Sequence, residues 1–491
     1  MSQAKKMVHH ASLYAVGNIS RQLVGFVMLP VYTQFLSPAD YGAIGLITFM
    51  LAIAEGLLGM RLGMAVPKYY YETSDAVYRR KVLSSALIIT GIASTIVTAA
   101  LYLSAGPLSE LLFADRGYSD ALGVFALVFI LQAMEAYGLL YLRIQERPGL
   151  FLAINLIKLA LQLSLNIIFV VVLEMGVMGI ALSLVISTLI IALGLSAYLI
   201  RSVGLNFDRE IGTKLIRFAW PLWLAGIAGL YTNAADHYFI RIFDSLEGVG
   251  LYSLAGKVAM VLMLLLWTPF SQYWITERFN IHHRGEGPVM FPAVFEAIFG
   301  VMLIMTLGLS LFGAPLIRIM ADPSYHGAVA AIPWLCLTKL MYSATLYFRF
   351  NFLVTENTRW ISRASYFSAA LSTLFYIALI PRFGFTGAAI GLFLATTLQF
   401  LLEYMLGRRL YDMNVRPAAF MAIIALCYAL LFLSESINPS TGFWSDIAWR
   451  SGVLVVLSGI PLAYMLRKPE TRVMLKDTIT AIRNKLGARR G

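Results

Sequence analysis

Apolar runs of about 18 or more residues recur along this 491-residue chain, and they limit its fold more strictly than any other feature. Each run is long enough to cross the ~30 Å hydrocarbon core of a bilayer as a helix. Charged residues make up 13% of the sequence, whereas soluble domains carry about 25%. The sequence therefore predicts an all-α polytopic membrane protein.

Fourteen spans are predicted, with centres near residues 24, 51, 94, 131, 162, 188, 226, 261, 302, 339, 369, 396, 425 and 456. The first apolar run, from Ser12 to Phe35, is too long for the apolar region of a secretory signal and lacks an A-x-A cleavage site, so it is interpreted as a span. Cys336 and Cys427 fall inside spans. They are interpreted as small buried hydrophobic residues rather than a disulfide or a metal site.

Basic residues alternate between dense and sparse loops, which orients the spans because Lys and Arg accumulate on cytoplasmic loops. If the N-terminus is cytoplasmic, the outer loops hold only Arg116, Arg241, Arg318, Arg382 and Arg450. Both termini are therefore predicted to be cytoplasmic. The basic tail is expected to lie on anionic membrane lipids, so the net charge of +12 does not indicate nucleic-acid binding.

Two pairs of segments match at one offset and predict an internal repeat. FLSPADYGAIGLI begins at Phe35, and FDSLEGVGLYSLA begins 208 residues later at Phe243. The same offset aligns GVMGIALSLVIST, from Gly176, with GFTGAAIGLFLAT, from Gly384. An even number of spans per copy makes the copies parallel. The predicted segments are two six-helix bundles, two additional spans and a basic cytoplasmic tail, at residues 1–207, 208–410, 411–466 and 467–491.

In SPADYG, the sequence predicts that Pro38 ends one helix, that Asp40 caps the next and that Gly42 permits close packing.

Polar residues recur at helical spacing inside two spans. Span one carries Asn18, Arg21 and Gln22 on one face, and span five carries Asn155, Lys158, Gln162 and Asn166 on one face. Ionisable residues at membrane depth usually face a bundle interior or a wet cavity. These stripes are therefore candidates for the lining of a polar pathway.

Further ionisable residues fall at membrane depth in other spans. Lys257 and Lys339 are candidate cavity cations, while Glu55, Glu135 and Asp236 are candidate counter-ions or ion-coupling groups. Simpler interpretations compete with these: Asp236 pairs with Arg241, and His237 is a packing residue. Three residues near span ends are expected to extend their charged groups to the membrane interface: Arg61, Glu296 and Glu403.

Several deep cations suit an anionic cargo, above all a phosphate or diphosphate, because ammonium and guanidinium groups pair strongly with phosphate oxygens. The segment GLYSLAGKV, from Gly250, fails as a phosphate loop because its spacing is one residue too long and no Ser or Thr follows Lys257. No catalytic residue, metal ligand or cofactor site is predicted, and no loop is long enough for a catalytic domain. The sequence thus favours a transporter over an enzyme.

The chain resembles the polysaccharide-transporter branch of the multidrug/oligosaccharidyl-lipid/polysaccharide exporter superfamily, the Wzx-type flippases. The resemblance rests on SLYAVGNISRQLVGFVMLPVYTQFLSPADYGAIGL, on the D-x-x-x-I to Y-S-x-A-x-K run between Asp236 and Lys257, and on the two G-x-x-G-x-A segments. Arg21 and Asp236 lie in these motif regions. Lys158 and Lys339 rest on helical spacing alone.

This resemblance implies a twelve-span core around a cationic cavity that opens alternately to the two sides of a bacterial inner membrane. The implied cargo is a lipid-linked oligosaccharide, usually carried on undecaprenyl diphosphate, for cell-surface polysaccharide such as O-antigen, lipopolysaccharide or exopolysaccharide. Glycan polymerase and assembly proteins are further candidate partners.

Three alternatives remain open from the sequence. A cation-coupled multidrug exporter of the same superfamily would favour an acidic, aromatic cavity. A polytopic glycan-assembly enzyme would call for a sizeable loop with clustered carboxylates. A non-transporting scaffold for a glycan-assembly complex is suggested by the basic tail alone.

Overall fold

The computed structural model describes residues 13, 17, 24–58, 62–232, 234–439, 442–467 and 469–472. All regular elements in this part of the chain are helices, so the predicted all-α class is confirmed. The chain divides into two compact units, Met1–Ser253 and Leu254–Gly491. The four segments predicted from the sequence remain predictions.

The first unit is built from helices that succeed one another with short connections. They are α1 Leu29–Phe35, α2 Pro38–Leu58, α3 Leu62–Glu72, α4 Ala76–Leu103, α5 Ala105–Phe113, α6 Ser119–Ile144, α7 Pro148–Asn166, α8 Gly176–Val203, α9 Arg209–Thr232 and α10 Ala235–Phe243. A π-helical turn, Ile167–Val172, extends α7. The next helix, α11 Leu246–Leu262, contains the division between the units.

The second unit continues with a π-helical turn, Met263–Trp267, and a short 3-10 helix, Pro323–Ala331. Its α-helices are α12 Thr268–His283, α13 Gly287–Met320, α14 Ile332–Phe348, α15 Phe350–Val354, α16 Arg359–Leu410, α17 Ala418–Ser436 and α18 Phe443–Met465.

Ten helical stretches in the described chain are long and apolar enough to cross a membrane. One of them, α16, has 52 residues and is interrupted at Gly384, which has φ 55° and ψ −146°. A continuous helix of that length would measure roughly 80 Å, more than twice the hydrocarbon thickness. Helix α16 is therefore long enough for the two spans predicted near residues 369 and 396, and the interruption at Gly384 lies between them. The total of fourteen remains a prediction.

The SPADYG segment forms the start of α2, and its details differ from the prediction. Ser37 Oγ accepts a hydrogen bond from the Asp40 backbone N–H at 3.1 Å, and Asp40 Oδ2 accepts from the Ser37 backbone N–H at 3.3 Å. This is a capping box in which Ser37 is the N-cap and Asp40 is its partner three residues later. Pro38 begins α2 rather than ending α1, because its fixed φ suits the first helical position.

Helices α2 and α11 cross with their backbones in contact at two glycines. A Cβ atom on Gly42 would overlap the carbonyl oxygen of Leu246, and one on Gly250 would overlap the carbonyl oxygen of Pro38. Each glycine thus lies against the residue four positions before the other. Small residues allow such close approach between membrane helices, so the close packing predicted for Gly42 is observed.

The core of the second unit is aromatic. Trp274 stacks on Tyr347 with ring centroids 4.9 Å apart, and Phe295 contacts Tyr347 at 5.6 Å. Helix α17 joins this core through Phe420, whose ring lies 5.5 Å from that of Phe295. The last two helices are therefore packed into the second unit.

A buried arginine also fixes α18 to its neighbours. Arg450 donates to both oxygens of Glu435, on α17, at 2.5 and 3.0 Å and to Asp446 Oδ1 at 2.9 Å. It also donates to the Leu311 carbonyl oxygen of α13 at 2.7 Å. Sequence analysis assigned Arg450 to an outer loop. In the structure it lies inside α18 with its charge neutralised.

Candidate functional site

A buried ion pair connects α6 and α7 in the first unit. Lys158 Nζ lies 2.5 Å from Glu135 Oε2, and the two residues are 9% and 4% exposed. The sequence predicted Lys158 as a cavity cation and Glu135 as a counter-ion without joining them. Their pairing satisfies both charges, because a buried ion without a partner is strongly unfavourable.

The polar stripe of α7 continues on both sides of this pair. Asn155 is buried and donates through Nδ2 to the Phe151 carbonyl oxygen at 2.7 Å, while its Oδ1 has no hydrogen-bond partner in the described chain. Asn166 is buried and accepts from Ser183 Oγ at 2.6 Å. Gln162 is half-buried. The helical spacing thus puts Asn155, Lys158 and Asn166 in the interior of the unit.

Asp236 is the centre of a second buried polar network. Its Oδ2 accepts from Tyr252 OH at 2.7 Å, and its Oδ1 lies 2.7 Å from His237 Nδ1. The other ring nitrogen of His237, Nε2, lies 3.1 Å from Ser253 Oγ. This network joins α10 to α11 next to the crossing of α2 with α11. The side chains link two hydroxyl groups, a carboxylate and an imidazole through consecutive polar contacts.

The simpler interpretations of this region need correction. Arg241 does not pair with Asp236; it donates to the Phe113 carbonyl oxygen at 2.7 Å. His237 does more than pack, since both of its ring nitrogens have polar partners. Tyr252 and Ser253 were not predicted as partners of Asp236. They lie on another helix, 16 or more residues after Asp236, so helical spacing in the sequence does not reveal that they contact it.

Two other candidate cavity cations, Lys257 and Lys339, lie in the second unit. Lys257, on α11, is exposed, and it forms no ion pair with any residue of the described chain. Lys339, on α14, is half-buried. Asn18, Arg21 and Gln22 lie outside the described residues, as does the side chain of Glu55. That the four predicted cations line one cavity therefore remains a prediction.

A bidentate ion pair in the second unit was missed by sequence reasoning. Arg349 donates from Nε to Glu403 Oε2 at 3.0 Å and from Nη2 to Glu403 Oε1 at 2.9 Å. Gln399 also donates to Glu403 at 2.9 Å. Glu403 is 0% exposed, so the expectation that it reaches the membrane interface is wrong. The half-buried Arg349, not water, satisfies its charge.

Glu296 is also buried rather than extended to the interface, and it accepts from Thr471 Oγ1 at 3.2 Å. Cys336 and Cys427 are free and buried, which confirms their interpretation as packing residues. In the described ranges, no cluster of three or more His, Cys, Asp or Glu side chains could hold a metal ion.

Long apolar helices that enclose paired charges and polar networks indicate a multi-pass membrane protein. The family model described as "Polysaccharide biosynthesis protein" matches residues 7–275, more than half of the chain. The chain belongs to this family, within the polysaccharide-transporter branch of the multidrug/oligosaccharidyl-lipid/polysaccharide exporter superfamily. A search of curated protein sequences finds no match.

Solved structures share the fold. The lipid II flippase MurJ in an inward closed conformation has a TM-score of 0.74 and 14% identity over 95% of this chain and 99% of that one. A multidrug resistance MATE family transporter in an inward-facing conformation has a TM-score of 0.61 and 16% identity, over 82% and 95%. The MATE multidrug transporter DinF-BH, solved in complex with a ligand, has a TM-score of 0.59 and 16% identity, over 84% and 97%. At these identities the likeness is one of fold.

Proposed function

We propose that the protein is a flippase that moves a lipid-diphosphate-linked oligosaccharide from the cytoplasmic to the outer leaflet of the bacterial inner membrane. It would do so by alternating access, with both termini in the cytoplasm. Undecaprenyl diphosphate is the proposed carrier, and surface polysaccharide assembly is the proposed use. Membership of a polysaccharide biosynthesis family and a fold shared with a lipid II flippase support this cargo class.

The observation that carries the proposal is the buried pair of Lys158 and Glu135. An ammonium group held at membrane depth by a single carboxylate is available for exchange, because a diphosphate offers more oxygens and more charge than the carboxylate does. Cargo binding would transfer Lys158 from Glu135 to the phosphate. Asn155 lies one turn away, its buried Oδ1 has no hydrogen-bond partner in the described chain, and it would accept from a sugar hydroxyl.

We also propose that residues 1–207 and 208–410 are copies of one six-helix bundle, with two added spans at 411–466 and a tail at 467–491. The matching glycines support this. Gly176 and Gly384 are 208 residues apart and share φ 55°, a conformation that residues with a Cβ atom rarely adopt. The crossing glycines Gly42 and Gly250 are separated by the same 208 residues.

The proposed residue roles rest on the positions of these residues in the predicted spans. Lys158, Lys257 and Lys339 would contact phosphate, together with Arg21. Asn18, Gln22, Asn155 and Gln162 would contact the glycan. Glu55, Glu135 and Asp236 would balance the cations or bind a coupling ion.

A second candidate is a cation-coupled exporter of small molecules. The network of Asp236, His237 and Ser253 favours it, because a carboxylate, an imidazole and a hydroxyl in consecutive polar contacts at membrane depth are typical of ion pathways. The fold shared with two multidrug transporters also supports it. This function predicts drug sensitivity in a deletion strain whose surface glycan is normal.

The deciding experiment uses a deletion strain of the source bacterium. Lipid-linked oligosaccharide is probed with an impermeant glycan-modifying enzyme in intact cells and in inverted vesicles, and surface glycan is measured by gel electrophoresis. We expect surface glycan to be lost and the lipid-linked intermediate to be modified only in inverted vesicles. Normal surface glycan with no accumulated intermediate would refute flipping.

Residue variants then separate the cargo site from folding. Lys158→Ala is expected to abolish export, and the double variant Lys158→Met/Glu135→Leu, which leaves no buried charge without a partner, is expected to do so at normal protein abundance. Lys214→Ala is the matched control, because Lys214 lies on an exposed surface of α9 and its one ion pair in the described chain is with Glu210, one turn away. Full export by Lys158→Ala would contradict the assigned role of this lysine.

A further inference from the structure

Two buried nitrogen donors without acceptors lie one turn apart on α12. They are Trp274 Nε1 and Arg278 Nε, and the described chain supplies a hydrogen-bond acceptor to neither. The two residues are 3% and 8% exposed. Because residues four positions apart share a helix face, both donors belong to one side of α12. The sequence analysis singled out neither residue.

The charge of Arg278 is not neutralised by any carboxylate in the described part of the chain. Its guanidinium carbon lies 5.5 Å from the ring centroids of both Phe279 and Phe350. Two other arginines of this unit differ in this respect: the half-buried Arg349 pairs with Glu403, and the buried Arg450 pairs with Glu435 and Asp446. Arg278 is thus a buried residue whose guanidinium lies against two aromatic rings and whose Nε has no acceptor in the described chain.

Such an arrangement is unfavourable unless an anion completes it. A guanidinium keeps its proton inside proteins, and burying it without a counter-charge is strongly destabilising. Contacts with phenylalanine rings recover only part of that loss. A phosphoryl group would complete the site, because its several oxygens can accept from both a guanidinium and an indole N–H.

We propose that Arg278 and Trp274 bind the phosphoryl group of an anionic membrane lipid. The site lies near the end of α12 that carries His282 and His283 and leads to Arg284. In the proposed orientation this end is at the cytoplasmic headgroup level. The phosphoryl group has two sources, the diphosphate of a polyprenyl carrier and the phosphodiester of a phospholipid. Only the first source rests on the proposed flippase function.

Binding to the purified full-length protein tests the site and identifies the source. Native mass spectrometry would compare farnesyl diphosphate, phosphatidylglycerol and uncharged farnesol as probes. We expect one or both phosphoryl lipids to bind and farnesol not to bind. Arg278→Gln should weaken that binding by about tenfold or more, since it removes a charge-assisted contact. Loss confined to farnesyl diphosphate identifies cargo, and loss confined to phosphatidylglycerol identifies a bulk-lipid site.

Arg284→Gln is the matched control, because Arg284 is exposed and already pairs with Glu277 and Glu286. It removes the same charge six residues away and should leave binding unchanged. Equal binding by the wild type and Arg278→Gln, or equal weakening by both variants, would overturn the proposal. Trp274→Phe keeps a ring in place and removes only the N–H. It decides the question in the same way where Arg278 variants do not fold, with several-fold weaker binding expected.

Thermal unfolding in lipid-free detergent gives a second test, because a lipid-binding role and a purely structural role of Arg278 predict opposite changes in Tm. Arg278→Met should raise Tm, because it removes a buried charge that has no partner. A structural cation–π role predicts a lower Tm with unchanged lipid binding, and that result would contradict the proposed site. If phospholipid binds at Arg278 but the deletion-strain experiment shows no flipping by the wild-type protein, the proposed function is refuted and the proposed lipid site still stands.

Discussion

Lys158 and Glu135 neutralise each other inside the first unit, with Nζ 2.5 Å from Oε2. They lie 23 residues apart on consecutive antiparallel helices, α6 and α7. The pair stabilises the unit in the absence of cargo. It also means that an incoming anion competes with Glu135 for Lys158.

The first prediction concerns the two members of this pair. Lys158→Met leaves Glu135 buried without a partner and should lower the free energy of unfolding by about 3–5 kcal/mol. The double variant Lys158→Met/Glu135→Leu should recover most of that loss, since no charge remains. Thermal unfolding of the purified protein measures both. The double variant should still fail to restore surface glycan in the deletion strain, and a double variant that exports normally would contradict the role of the pair.

A second prediction tests the crossing of α2 and α11. Gly42→Ala and Gly250→Ala should each destabilise the protein by about 1–3 kcal/mol, because the new methyl group overlaps a backbone carbonyl oxygen that cannot move away. Gly256→Ala is the control on α11, since its Cβ would meet no atom within 4 Å. That control should be neutral or stabilising by up to about 1 kcal/mol. Equal Tm changes at all three positions would show that the contact is absent.

The third prediction addresses the left-handed glycines. Gly176→Ala and Gly384→Ala should each cost about 1–2 kcal/mol, because φ of 55° is unfavourable for a residue with a Cβ atom. Gly194→Ala, at an open position of α8, is the comparison. Melting curves of the three variants would measure the effect, and a Gly384→Ala variant as stable as Gly194→Ala would contradict the interruption of α16.

A fourth prediction concerns the network around Asp236. Tyr252→Phe removes one hydrogen bond to a carboxylate and should lower the free energy of unfolding by about 1.5–3 kcal/mol. Tyr118→Phe is the comparison. It removes a hydrogen bond to Asp40, which is more exposed than Asp236, and it keeps the ring contact with Phe113, so it should lower the free energy of unfolding by less. Denaturant or thermal unfolding ranks the two. A smaller effect at Tyr252 would indicate that Asp236 is solvated.

The fifth prediction uses the pair of Arg349 and Glu403. Arg349→Lys keeps the charge but loses the two-point geometry, so it should destabilise the second unit, by less than Arg349→Met does. Arg349→Met leaves Glu403 buried and unpaired, with an expected loss of about 3–5 kcal/mol. Arg363→Met supplies the comparison, because Arg363 contacts the ring of Trp360 and forms no ion pair in the described chain. A loss at Arg363 as large as at Arg349 would argue against the bidentate pair.

Local patterns in the sequence predicted much of the fold. Apolar length predicted the helices, and the spacing of Asn155, Lys158 and Asn166 predicted which side of α7 is buried. Glycine matches at one offset predicted positions that share a backbone conformation, Gly176 and Gly384. These features depend on residues close together in the chain or on repetition, which a sequence displays directly.

Pairing across helices was not predictable in the same way. Nothing in the spacing of Arg349 and Glu403 shows that they meet, so Glu403 was expected at the interface. Arg278 was overlooked because one arginine near a span end is ordinarily solvated. Its burial depends on Phe350, which lies on α15 and far along the chain. Long-range packing decides such cases.

The crossing at Gly42 and Gly250 has a kinetic consequence. Interdigitated side chains must change rotamer before two helices separate, and each change adds to the barrier. Where backbone meets backbone, no rotamer has to change. At Gly42 and Gly250 themselves no side chain has to change rotamer when α2 and α11 move against each other, so we expect the surrounding contacts, rather than these two positions, to set the barrier to such a movement.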